Sequence, residues 1–276
     1  MQPRKAVESM ARWLLRPLGY SVVPINIGYL IAADWRLDEL HHPGHDDQFY
    51  PIILRDMAFA NHLRALFGHL DVDCVLDVGA NEGQYGLFLR EHVGFAGQIL
   101  SFEPASESYA RLLSTVGRDA NWKAFRLALG REDTVRAMNI MRVSQLNSFL
   151  EPSADLSGHL REVSAVERSE PVDVRRVSEL LPQLKAEFNF KRPYLKLDTQ
   201  GFDLEVIAGA GSKLTEFVAM QSEMSVQPVY RDMPSYRDAL RILEGLGYDI
   251  SGLFWVSVVD HRMFEFDCVM VRRNSP

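Results

Sequence analysis

Val75-Leu76-Asp77-Val78-Gly79-Ala80-Asn81-Glu82-Gly83 is an apolar run that breaks into a loop marked by two glycines. The full apolar stretch, Val72 to Val78, is short enough for a buried strand. Glycines just past such a strand let the backbone turn tightly and approach a ligand with no Cβ in the way. The spacing from Gly79 to Gly83 resembles a dinucleotide fingerprint, yet Asn81 stands where that fingerprint puts its middle glycine. The middle glycine lets backbone touch a pyrophosphate, so its replacement favours a nucleoside cofactor that lacks one.

Downstream, the pattern alternates. A helix is expected from Gln84 to His92, with Tyr85, Phe88, Leu89 and His92 on one side, followed by a strand from Gln98 to Phe102. After Pro104, Tyr109, Leu112, Leu113 and Val116 repeat at helical spacing, and Ala124–Ala128 reads as the next strand. Strand–helix–strand–helix–strand calls for a mainly parallel sheet with helices on its faces. Right-handed crossovers then align the strand exits along one edge, where ligands bind. Glu103 follows its strand directly, so its carboxylate can accept both hydroxyls of a ribose. Asp77, beside the glycine turn, can orient the loop or receive a cationic amine; by itself it is also a plain capping carboxylate.

Farther along, Thr134–Met141 suits a strand or hairpin arm, and Ser144–Glu170 a long loop or lid with one short helix. Val172–Val177 alternates, with Ser178 able to cap a helix from Glu179. Tyr194–Leu197 is a strand ending in Asp198, and Leu204–Ala210 a helix closed by Gly211. Val218–Met224 alternates as a strand. Pro234 opens a helix with a Tyr236, Ala239, Leu240 and Leu243 stripe, and Gly247 closes it. Trp255–Val259 and Phe266–Val271 make a terminal hairpin across Asp260-His261-Arg262.

Upstream, residues 1–70 read as a helical and irregular extension that contributes to a substrate pocket or to oligomer contacts, with a helix over Ile52–Phe67. The polar His41–Asp47 stretch reads as a loop whose three histidines lack the rigid placement metal ligands need. Arg16, Pro17 and Gly19 break the first apolar run, and Pro24 and Asn26 interrupt Val22–Ala33. Neither matches a secretory leader or a membrane span, which makes the cytoplasm the default location. Packing on the core is the commoner fate of such an amphipathic stretch than weak membrane association. The balance of 30 Lys+Arg against 37 Asp+Glu gives a formal charge of -7 and no long-range pull toward nucleic acid. Cys74 and Cys268 sit in apolar runs as buried thiols rather than a disulfide framework.

Leu76-Asp77-Val78-Gly79-Ala80-Asn81-Glu82-Gly83-Gln84-Tyr85-Gly86, Phe102-Glu103-Pro104, Leu195-Lys196-Leu197-Asp198-Thr199-Gln200-Gly201-Phe202-Asp203 and Phe266-Asp267-Cys268-Val269 together resemble the FkbM family of S-adenosyl-methionine-dependent methyltransferases. The resemblance covers roughly residues 72 to 272, inside a domain assigned to 71–276. It implies an α/β fold of the class I methyltransferase type: a doubly wound, mostly parallel seven-stranded sheet with a terminal antiparallel hairpin strand. It implies that Asp77, Gly79, Asn81 and Gly83 line the methionine end of S-adenosyl-methionine, that Glu103 holds the ribose, and that Ala128-Leu129-Gly130 lies near the adenine. It also implies O-methylation of sugars, polyketides, lipids and related metabolites.

Methyl transfer to an alcohol needs an in-line nucleophile, a dry site and a proton acceptor. Lys196, Asp198, Gln200 and Asp203 surround a strand exit on the cofactor edge, so Asp198 is the preferred acceptor-orienting carboxylate or general base, against the alternative of a helix cap. Glu223 interrupts an apolar strand, where a carboxylate is costly unless paired or hydrated. It can pair with Lys196, share substrate binding with Asp198, or join it in holding a divalent cation, although no third ligand stands at diagnostic spacing and no metal is assigned. His159, in the lid, suits a swinging base less well than a surface position. Two other classes compete. An NAD-dependent oxidoreductase is weakened by Asn81 and by the lack of a Tyr-x-x-x-Lys constellation. A non-catalytic nucleoside-cofactor-binding module leaves the polar residues at several strand ends without a reason. The expected partner is a small-molecule or glycan-type acceptor, with a homo-oligomer open.

Overall fold

The computed structural model describes residues 20–25, 28–33, 49–156, 158–259 and 261–273. It divides into two compact units, Met1–Ala58 and Phe59–Pro276. In the first, β1 (Tyr20–Ile25) and β2 (Gly28–Ala33) form an antiparallel hairpin that pairs Tyr20 with Ala33. The expected His41–Asp47 loop lies outside the described residues, as does the amphipathic stretch before Tyr20. The helix expected over Ile52–Phe67 runs from Phe49 to His69.

The second unit is organised by one sheet. Its strands are β3 (Cys74–Val78), β4 (Gln98–Phe102) and β5 (Trp122–Phe125), then, after an insertion, further members. The insertion holds β6 (Ala128–Leu129), β7 (Thr134–Met141) and β8 (Val166–Arg175), a separate three-stranded sheet in the order β6-β8-β7. The main sheet resumes with β9 (Pro193–Leu197), β10 (Ala219–Ser225), β11 (Tyr248–Val259) and β12 (Arg262–Arg272). Its order, β11-β12-β10-β9-β3-β4-β5, is parallel except at β12, which runs antiparallel to both neighbours. This is the mainly parallel sheet the alternation called for, in the seven-stranded form the family resemblance implied. Because β3 leads on to β4 on one side and has β9 on the other, the order reverses at the exit of β3, where a crevice forms.

Every residue of β3 and β9 is buried, which accounts for their apolar character, broken only by Asp77 and Lys196, which are paired across the two strands. Leu76, Val78, Leu195 and Leu197 are each at most 2% exposed, and each such side chain contributes roughly 1.5–3 kcal/mol by leaving water. Phe67 closes the β9 side, its ring edge-on to Tyr194 at 4.9 Å.

Several local expectations are corrected. The strand placed at Ala124–Ala128 is split: Trp122–Phe125 is the sheet edge, and Ala128–Leu129 pairs with β8 instead. Trp122 sets that register, because its indole N–H donates to the Ser101 hydroxyl at 3.0 Å and its ring occupies the space a Gly86 side chain would need. The helix after Gly83 turns into one π-turn at Leu89–Val93. Leu113 faces solvent, while Ser108 and Leu112 are the buried positions of their helix. The long loop ends at Ala165, since Val166 onward pairs antiparallel with β7, while the short helix expected within it is Gly158–Val163. Ser178 caps nothing: the helix starts at Val177, and Asp133 instead accepts the Arg176 N–H at 2.8 Å.

Candidate functional site

Strand register builds the site. Val78 is level with Phe102 on β4 and with Leu197 on β9, and Leu197 is level with Ser222 on β10. One residue further along each strand come Glu103, Gly79, Asp198 and Glu223, and Asp267 on β12 is paired with Glu223. Neighbouring strands are ~4.8 Å apart, so Asp198 and Glu223 adjoin while Glu103 lies ~10 Å from Asp198 across the glycine turn. One sheet edge therefore carries a carboxylate on either side of an open loop.

On the β4 side, Glu103 is 5% exposed, and its two oxygens accept the backbone N–H groups of Asn81 at 2.8 Å and Ala105 at 2.9 Å. Burial pushes its carboxyl up to about 7, against the pull of those two N–H groups and of the Lys196 ammonium. Asn81 takes a left-handed backbone, φ 47°, where a glycine is at ease and asparagine is tolerated. Its amide oxygen accepts the Ser144 hydroxyl at 3.3 Å, and its buried amide nitrogen has no partner among the described residues. A cavity of about 330 Å³ opens beside this turn, lined by Glu82, Ala105, Ser108, Met141, Ser144 and Asn147 among others. A buried acceptor, an orphaned donor and adjacent space fit a nucleoside with ribose hydroxyls.

The glycines have a reason that spacing did not convey. Gly79 has φ 78°, and a Cβ there would lie 1.9 Å from the Asp198 carbonyl oxygen. Gly83, φ 94°, would press a Cβ to 2.9 Å from Thr115 and 3.0 Å from Leu112. Both answer first to the protein's own packing rather than to a ligand. Gly83→Ala should thus lose roughly 1–2 kcal/mol in urea denaturation, from left-handed strain. Unchanged stability would mean that the backbone at residue 83 relaxes out of the left-handed region.

Asp77 is fully buried, with one oxygen accepting the Ser101 hydroxyl at 2.9 Å and the other 3.0 Å from Lys196 Nζ. Lys196 in turn donates to the Gly79 carbonyl at 3.1 Å and lies 3.6 Å from Asp198. Burial alone would push this ammonium down, but Asp77 and then Asp198 outweigh it and hold it above its usual value. Of the two roles open to Asp77, this geometry favours orienting the loop, through Lys196. Ala128, Leu129 and Gly130 are buried, and a Cβ on Gly130 would meet Val174 and Phe202.

On the β9 side, Asp198 is about a third exposed (34% of its side chain) and accepts the Gln200 amide at 2.9 Å. It does not cap the next helix. Asp203–Ala210 has Phe202 at its N-cap with no side-chain bond, and Asp203 gathers the Thr199 N–H at 3.0 Å and the Ser222 hydroxyl at 2.6 Å. Glu223 accepts the same Gln200 amide at 2.8 Å instead of pairing with Lys196. Burial first, then the charges of Asp198, Glu265 and Asp267, holds its carboxyl well above the usual range. Gln200 was placed at this strand exit from sequence without a role, and Tyr230 was not singled out, although polar Gln221 and Ser222 lie buried inside β10 beside it. Tyr85 donates to Gln221 at 2.8 Å beneath the loop. His159 is exposed on its short helix. Among the described residues, no three His, Cys, Asp or Glu side chains could hold a metal ion.

A family model described as the methyltransferase FkbM domain matches residues 77–250. No curated protein sequence matches the chain. Similar solved structures include the methyltransferase FkbM from Methylobacillus flagellatus KT, at 14% identity and TM-score 0.44, matched over 72% of this chain and 44% of that one. This chain thus spans less than half the length of that relative. They also include magnesium protoporphyrin IX methyltransferase from Synechocystis PCC 6803, at 10% identity and TM-score 0.42, over 99% of this chain and 98% of that one.

Proposed function

From the premise that the chain belongs to the FkbM methyltransferase family, we propose that it is an S-adenosyl-methionine-dependent O-methyltransferase acting on a hydroxyl of a sugar, glycolipid, polyketide or related small metabolite. One observation carries this reading: Glu103 and the Asp198–Glu223 pair flank the same glycine turn on one sheet edge. When bound, the cofactor supplies an electrophilic methyl group on a sulfonium. Glu103 accepts the ribose hydroxyls, and the free Asn81 amide donates to the same nucleoside. Asp198, exposed enough to meet an acceptor, orients the acceptor hydroxyl and takes its proton as the oxygen–methyl bond forms. Lys196 ties the loop carbonyl of Gly79 to Asp198, so cofactor and acceptor positions are set by one side chain.

A dinucleotide cofactor is disfavoured because the Asn81 side chain, bonded to Ser144, stands where a pyrophosphate needs bare backbone. The negative net charge disfavours nucleic acid as acceptor. The two free, buried thiols support a reducing compartment such as the cytoplasm, and no helix among the described residues is long and apolar enough to cross a membrane. Calorimetry should show S-adenosyl-methionine and S-adenosyl-homocysteine binding, with no comparable heat from NAD or NADP. Preference for NAD would sink the reading. Transfer of labelled methyl across a panel of glycans and metabolites would then identify the acceptor.

A further inference from the structure

We propose that Gln200 is a positioning residue for this site: its single amide nitrogen clamps Asp198 and Glu223 into one pair that takes up a single proton from the acceptor. The proposal rests on the methyltransferase reading for what the proton is, and on geometry for the clamp. In the step itself the acceptor O–H bond breaks as the O–CH₃ bond forms. The methyl–sulfur bond breaks, its electron pair stays on sulfur, and the proton passes to the Asp198 carboxylate.

Both N–H groups of the Gln200 side chain, and one lone pair of its carbonyl, are committed. Its Nε2 reaches Asp198 Oδ1 at 2.9 Å and Glu223 Oε2 at 2.8 Å, and its Oε1 faces the Tyr230 hydroxyl at 2.9 Å. The nitrogen end faces the carboxyls because a carbonyl oxygen turned toward the Asp198 carboxylate would be repelled by it. Its backbone is also held, since the carbonyl accepts the buried Ser148 hydroxyl at 2.7 Å. Residue 200 has φ 53° and Gly201 follows at φ 88°, a left-handed pair that turns the side chain back over the strand exits. Non-glycine residues pay for that conformation, and such strain persists where surrounding bonds over-determine it. Here three long-range partners do so: Ser148, Tyr230 and Glu223.

Two carboxyls side by side resist carrying two charges, and an N–H shared between them favours the ionised form of each. Glu223 also faces Glu265 and Asp267 from β12, whereas Asp198 lies 3.6 Å from Lys196 on β9. Burial and these neighbours hold the Glu223 proton in place. Backbone pairing keeps the two carboxyls adjacent even without the amide, because β10 is bonded on both sides and the Asp198 N–H donates to the Val78 carbonyl at 3.1 Å. Removing the clamp therefore leaves two neighbours without their shared donor, and the pair becomes harder to ionise.

The test uses the full chain, ¹³C-labelled at Asp and Glu carboxyls and titrated by NMR with and without S-adenosyl-homocysteine. Gln200→Asn suits it, because asparagine accepts the left-handed backbone but is one methylene too short to bridge both carboxyls. The expected result is an upward move of about one pH unit in the Glu223 titration, with S-adenosyl-homocysteine affinity within twofold of the parent. Gln200→Met, which keeps the length and loses the donors, should move it the same way. An unmoved or lowered titration in both variants overturns the proposal, even if thermal stability falls, since a merely structural role would lower stability alone. Absence of S-adenosyl-homocysteine binding to the parent would instead overturn the methyltransferase reading and leave the titration result standing.

Discussion

Asp198→Asn should lower methyl transfer by roughly 10²–10⁴-fold while cofactor affinity changes little. Asparagine has nearly the same shape. Its amide oxygen can still accept from Gln200, and its backbone N–H still donates to the Val78 carbonyl. What is lost is the charge facing Lys196 and the basicity that accepts the acceptor's proton. A helix-capping role would have predicted near-parent turnover, because both residues cap well, but the helix at Asp203 takes no cap from residue 198. Initial rates with the acceptor found by labelled-methyl screening, set against S-adenosyl-homocysteine affinity from calorimetry, measure both halves. Full transfer activity in the variant would remove Asp198 from the chemistry.

Replacing Glu103 should act on the other half. Glu103→Ala should weaken S-adenosyl-homocysteine binding about ten- to hundredfold, the loss of charged hydrogen bonds worth roughly 1.5–3 kcal/mol. The parent should also show a pH dependence that the variant lacks. Only the ionised carboxylate offers all its lone pairs to ribose hydroxyls, so affinity should climb as pH rises toward about 7 and then level off. The sign for stability is opposite. The folded carboxyl titrates at about 7 and the ordinary group at 4.5, so the favourable protonated state is fully present below 4.5 and is lost as pH rises to about 7. Relative to Glu103→Gln, the parent should therefore lose up to roughly 3 kcal/mol across that window. The gain in the variant is reduced because one amide oxygen cannot satisfy both the Asn81 and Ala105 N–H groups. Denaturation midpoints at pH 5 and pH 8 decide it; parallel curves for parent and variant would mean that Glu103 is not held protonated by burial.

The amino-acid sequence by itself determined the sheet and the sequence positions of its exits. Apolar runs that stop at Gly79, Glu103 and Asp198 announce buried parallel strands and polar ends through local burial and turn chemistry, which act over a few residues. The terminal hairpin was legible for the same reason, although both of its strands begin earlier or end later than the apolar residues alone indicated. Tertiary structure decided everything that depends on partners far apart in the chain. Trp122, not the local pattern, set where β5 begins, because it bonds to Ser101 on the neighbouring strand. Asp77 became a support for Lys196, and the glycine loop received its steric reason from Asp198, only once β3 and β9 lay side by side. Gln200 reads as one polar residue in a loop until Ser148, Tyr230 and Glu223 converge on it. Hydrophobic periodicity reports which face of an element is buried, whereas a hydrogen bond depends on which atom from a distant segment arrives opposite, and strand register alone brings that atom there.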